Sequence, residues 1–113
     1  MLFRSVGTAK ARELYFTADI VDAQQALALG IVNRVVPDAR LEDETLALAA
    51  RLARGPRIAY RYMKRNFNAA ESGTLEDQLD LEAWHHTRCG MTEDHREAAK
   101  AFVEKREPVF RGR

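Results

Sequence analysis

The stretch from Ala23 to Glu44 reads AQQALALGIVNRVVPDARLEDE, and its centre constrains the fold more than any other part of the chain. Asp22 is placed to cap a short helix over 23–29, whose apolar side carries Ala26, Leu27 and Leu29. Gly30 then supplies the left-handed conformation that closes a helix at little cost. Ile31, Val32, Val35 and Val36 follow, β-branched residues whose stiff first torsion favours extended backbone, and Pro37 ends the run. No other stretch reads as a strand. A lone strand leaves its own donors and acceptors unpaired, so this segment calls for a partner strand or a covering surface that the remaining residues do not supply.

Everywhere else the pattern is helical. Thr8 is the expected cap of a helix over 8–17, with Ala11, Leu14 and Tyr15 at helical spacing. Leu41, Thr45, Leu48 and Leu52 mark a second stripe, broken by ARGP at Ala53–Pro56. Ile58, Tyr62, Met63 and Phe67 mark a third. Gly73 and Thr74 separate it from a fourth with Leu75, Leu79 and Ala83, next to Trp84. Thr92 is the expected cap of the last helix, whose buried side is read as Ala99, Phe102 and Val103 before Pro108 stops it. The fold class is therefore mainly α: a helical array with one short extended segment.

At 113 residues the chain has the length of one domain. Its net charge of +1 creates no global field toward nucleic acid or an anionic membrane, so charge arguments must be local. No apolar run approaches the ~18 residues of a membrane span, and MLFRSVGTAK lacks the layout of a secretory signal. A single cysteine, Cys89, forms no internal disulfide, in keeping with a reducing, cytoplasmic setting.

Two clusters invite a chemical reading. WHHTRCGMTEDH gathers His85, His86, Cys89 and His95. His85 and Cys89 share a helix face, but His86 is turned about 100° away, and a tetrahedral metal site needs four converging donors. No metal site is expected. RLARGPRIAYRYMKR concentrates Arg51, Arg54, Arg57, Arg61, Lys64 and Arg65 around two tyrosines, and Glu76, Asp77, Asp80 and Glu82 on the next helix are positioned to neutralise them. Nucleic-acid binding is not expected from it. One functional reading is an independent helical protein-interaction module with this basic stripe as its contact face. No nucleophile with a base, phosphate cradle or paired catalytic carboxylates is visible, so no catalytic residue is assigned.

Taken in order, VGTAKARELYFTADIVDAQQALALGIVNRVVP, ARGPRIAYRYMKRNFN, TLEDQLDLEA and AAKAFVEKREPVFRGR resemble the C-terminal part of the crotonase superfamily, the enoyl-CoA hydratases and isomerases. TLEDQLDLEA inclines toward the isomerase-like branch that acts on phenylacetate-derived thioesters. The resemblance implies a remnant of the end of the core over 1–37 and, over 38–113, a helical region that covers the active site and joins subunits, without the spiral β core. It implies a coenzyme A thioester as substrate of the complete enzyme, no covalently bound cofactor, and a homo-oligomer with neither nucleic acid nor membrane as partner. The oxyanion hole and proton-transfer carboxylates of the family would lie upstream of Met1, so this chain alone is expected to be inactive. Phe102 and Lys105 match the aromatic and lysine that family members place near the nucleotide end of coenzyme A. Ala18 stands where many members have glycine.

Overall fold

The computed structural model describes residues 2–113, with side chains described from Arg4 onward; Met1, where the expected core remnant opens, lies outside the described residues. Among the described residues seven helices follow one another: α1 (Leu2–Val6), α2 (Thr8–Thr17), α3 (Ala23–Ala28), α4 (Asp38–Ala53), α5 (Arg57–Ala70), α6 (Leu75–Gly90) and α7 (Glu93–Glu104). There is no strand among the described residues, and no helix among them is long and apolar enough to cross a membrane. The fold is mainly α.

The punctuation follows local chemistry. Asp22 accepts a hydrogen bond from Gln25 N while the Gln25 side chain accepts from Asp22 N, at 2.8 and 2.9 Å, which satisfies two donors at the start of α3. Gly30, with φ 70°, turns the chain so that Ile31 N reaches Ala26 O at 2.9 Å. Thr74 and Thr92 cap α6 and α7 by accepting from Asp77 N and His95 N. At α2 the expectation fails: Thr8 is already the first helical residue, and Gly7 occupies the cap position with no side-chain bond. Pro37 also does more than stop a segment. Its carbonyl accepts from Arg40 N at 2.8 Å as α4 begins, because a helix start needs no N–H from proline. Residues 31–37 stay irregular between these two turns, with no ladder to join.

The chain divides into two compact units, one reaching to Glu44 and the other running Thr45–Arg113. In the first, α1 packs on α2 and Ala11 is fully buried. In the second, α6 packs on both α5 and α7. Only Ala11, Tyr62 and Ala101 are buried apolar residues among those described, while Phe16, Ile20, Phe67 and Leu75 stand exposed.

The inward side of α7 is not the one expected. Asp94 and Ala101 are buried and Glu97 and Ala98 half-buried, whereas Ala99, Phe102 and Val103 face outward. Positions 94, 97, 98 and 101 recur at three, four and seven residues, so one helix face carries them. Two carboxylates on that face disguise it as a solvent side in the sequence.

Candidate functional site

Helix α7 has two differently built ends. At its first turn Asp94, only 4% exposed, accepts from Arg111 N at 2.7 Å and Gly112 N at 2.9 Å, while Asp94 N donates to Arg113 O at 3.1 Å. A buried carboxylate is tolerated here because backbone donors replace water on both of its oxygens. One turn on, Glu97 accepts from Val109 N at 3.0 Å and forms a two-pronged pair with Arg106, at 2.6 and 3.1 Å. Arg106 beside it, helped by the Val109 N–H, holds the Glu97 carboxyl at about 2, against an ordinary 4.5. The same pairing, with Glu104 second, raises the Arg106 guanidinium above its usual value.

These bonds bring the last five residues back along α7, and α5 secures them from another side: Arg57 Nη2 donates to Arg111 O at 2.8 Å. Gly112 makes the turn with φ 76°, and a Cβ there would come within 2.5 Å of the Arg57 guanidinium. Only glycine combines that backbone with that approach.

The other end of α7 carries the two residues matched to coenzyme A. Lys105 closes the helix in the left-handed region, φ 52° and ψ 41°, with Arg106 N bonded to Ala101 O at 3.0 Å and Lys105 N to Phe102 O at 3.3 Å. Arg106 is the next residue, so its pair with Glu97 and its 2.6 Å bond to Glu104 fix the chain just beyond the turn. Phe102 is 85% exposed, which removes the reading of it as a core side chain within this chain. Lys105 is exposed and makes no ion pair among the described residues. An uncovered aromatic ring and an unpaired ammonium, three positions apart at a helix end, can stack on a flat base and neutralise a phosphate.

The histidine and arginine clusters resolve into an aromatic seam between α5 and α6. His85, 3% exposed, pairs through Nδ1 with the Asn66 side-chain oxygen and stacks on Tyr62 at 4.4 Å; Trp84 meets Tyr62 edge-on at 6.0 Å. His85, His86 and Cys89 line a common cleft, yet no group of three or more His, Cys, Asp or Glu converges among the described residues. The acidic residues of α6 do not neutralise α5 as expected. Asp77 bonds Thr74 and Glu82 bonds Gln78, both within reach of their own helix, while Arg61 lies over the Tyr62 ring at 5.0 Å and Arg88 over Trp84 at 5.3 Å. The basic stripe is thus divided, with Arg57 turned to the tail and Arg61 to an aromatic ring.

Asp94, Glu97 and Arg106 escaped the sequence reading. The available signal was Gly112, a glycine near the end of a polar tail, which marks a required turn without naming what the turn serves.

A family model described as enoyl-CoA hydratase/isomerase matches residues 1–113. The chain is 41% identical to a probable enoyl-CoA hydratase of Rhodobacter capsulatus, over 97% of this chain and 43% of the relative. It is 37% identical to the 1,2-epoxyphenylacetyl-CoA isomerase of Escherichia coli, over 100% of this chain and 43% of that protein. A crystal structure from Mycobacterium abscessus assigned to enoyl-CoA hydratase/isomerase superposes with a TM-score of 0.96 at 35% identity, covering 99% of this chain and 43% of the other. The chain therefore spans less than half the length of these relatives.

Proposed function

The chain belongs to the enoyl-CoA hydratase/isomerase family, and from that premise we propose that it is the C-terminal portion of a protein acting on acyl-CoA thioesters, contributing to the nucleotide end of the coenzyme A site and not to the reacting centre. Relatives named as a hydratase and as an isomerase match at similar identity, and the thioester is what their names share. The observation that carries the reading is the end of α7, where Phe102 is bare and Lys105 is held unpaired in a left-handed turn. Residues kept in uncommon backbone regions concentrate at ligand sites, where the surrounding bonds hold them.

The carboxylates that this chain organises best are occupied. Asp94 is spent on two backbone N–H groups and Glu97 on Arg106 and Val109, so neither is poised to pass a proton to a substrate. Thioester chemistry of this family also needs oxyanion donors at hydrogen-bond distance from the developing charge, each worth roughly a hundredfold or more in rate. The isolated chain is expected to show no turnover of a short enoyl-CoA. Turnover that disappears on mutating a residue of this chain would overturn the assignment.

In this reading residues 1–37 close the end of a core and residues 38–113 cover the site and join subunits. The exposed Phe16, Ile20, Leu41, Phe67, Leu75 and Val103 support it, since each leaves apolar surface for another part of the protein to cover. At ~25 cal/mol per Å², about 800 Å² of such surface represents about 20 kcal/mol before the costs of association. The isolated chain is accordingly expected to self-associate, and a clean monomer with a cooperative unfolding transition in sedimentation and melting experiments would contradict that expectation.

A further inference from the structure

A cleft of about 440 Å³ opens between α5, α6, the start of α7 and the last residue, and it is lined by Arg61, Arg88, Arg96 and Arg113 with Tyr62 at its wall. Glu93 is the one side-chain carboxylate in its lining, and it is already paired with the Arg113 guanidinium at 2.9 Å. Arg61, Arg88 and Arg96 form no ion pair with a carboxylate among the described residues. Three guanidiniums are therefore gathered at one opening with no carboxylate in ion-pair contact, an arrangement that an entering anion would stabilise.

Two of the three are oriented by aromatic faces. Arg61 lies 5.0 Å from the Tyr62 ring centre and Arg88 5.3 Å from that of Trp84, and the two rings pack edge to face. A stacked guanidinium loses less freedom when its N–H fork engages a ligand. The Tyr62 hydroxyl feels the same field: Arg88 first, then Arg61, favours its ionised form and draws it below the usual phenol value.

We infer that this cleft binds a diphosphate-class oxyanion, with Arg61, Arg88 and Arg96 as its ligands. Guanidinium forks match phosphoryl oxygens two at a time, and three of them around this volume serve more than one phosphoryl group. The cleft is separate from the Phe102 and Lys105 end of α7. Glu93 and Lys105 lie twelve residues apart along the helix, about 18 Å at 1.5 Å per residue.

The test is calorimetric titration of the protein with inorganic pyrophosphate at constant ionic strength. Saturable binding is expected, weakened about tenfold by Arg61→Gln and by Arg88→Gln, since one charge-assisted hydrogen bond is worth about that factor. Lys64→Gln removes the same charge from an exposed position of α5 outside the cleft and is expected to change affinity by less than about twofold. Repeating the titration in the Lys105→Ala background removes the cation at the end of α7, so that the saturable binding expected to remain belongs to the cleft, which separates this inference from the coenzyme A reading. ADP in place of pyrophosphate, titrated into Phe102→Ala so that stacking at the end of α7 does not contribute, distinguishes the source: tighter binding assigns the cleft to a nucleotide, equal binding to the diphosphate itself. Absence of saturable binding, equal weakening by Lys64→Gln and Arg88→Gln, or loss of binding in Lys105→Ala would overturn it. Circular dichroism of each variant confirms that a loss is not unfolding.

Discussion

Helices α2 and α7 both end on a residue other than glycine in the left-handed region, Ala18 with φ 53° and Lys105 with φ 52°. The backbone cost is of the same kind, about 1 kcal/mol for a residue with a Cβ. What holds the two turns differs. Ala18 is supported by one bond of its own N–H to Leu14 O at 3.1 Å. Lys105 is followed by Arg106, whose N–H returns to Ala101 O and whose side chain is gripped by Glu97 and Glu104. The comparison separates a tolerated strain from a reinforced one, and the reinforced turn is the one beside the exposed Phe102.

The severest way to break the comparison is to release the polar seam on α7. Asp94→Ala removes the acceptor of two backbone N–H bonds and is expected to lower unfolding free energy by about 3 kcal/mol, measured by denaturant titration. A loss no larger than that of a surface substitution would show that the tail is not fastened as described. The pair beneath Lys105 has a pH signature. Glu97 is depressed from an ordinary 4.5 to about 2, so its stabilisation is complete above about pH 4.5 and disappears as pH falls through about 2. Glu97→Gln should flatten the acid limb of the stability profile in that window; an unchanged limb would mean the pair contributes nothing there. The smallest effect belongs to α2. Ala18→Gly relieves the left-handed cost at the expense of a more flexible unfolded chain, and a net gain of about 0.5 kcal/mol is expected in thermal or denaturant melts. Destabilisation would mean that Ala18 is reinforced after all.

Much of the helical order was legible. Asp22, Thr74 and Thr92 cap where short polar side chains before an apolar stripe indicate, and Gly30 closes α3 because the need for a left-handed residue is local. The inward face of α7 was not legible. Besides Ala98 and Ala101 its lining includes the buried Asp94 and the half-buried Glu97, charged residues turned inward because distant backbone N–H groups of the tail reach them, and a contact between residues 94 and 112 leaves no periodic trace in sequence. The outward Phe102 and Val103 misled for the complementary reason: apolarity marks surface that some partner covers, without saying whether the partner is in the same unit. Phe102 and Lys105 themselves are matched to coenzyme A through family likeness alone; neither residue type announces a ligand by spacing.

The central claim is that the end of α7 meets the nucleotide portion of coenzyme A and takes no part in the chemistry. Steady-state kinetics on the complete protein carrying this segment, with a short enoyl-CoA, tests it most directly. Phe102→Ala and Lys105→Ala are each expected to raise KM about tenfold while kcat stays within about twofold, the pattern of lost uniform binding. A fall in kcat as large as the fall in kcat/KM would place these residues at the reacting centre, and an unchanged KM with reduced folding stability would make them structural; either result contradicts the account.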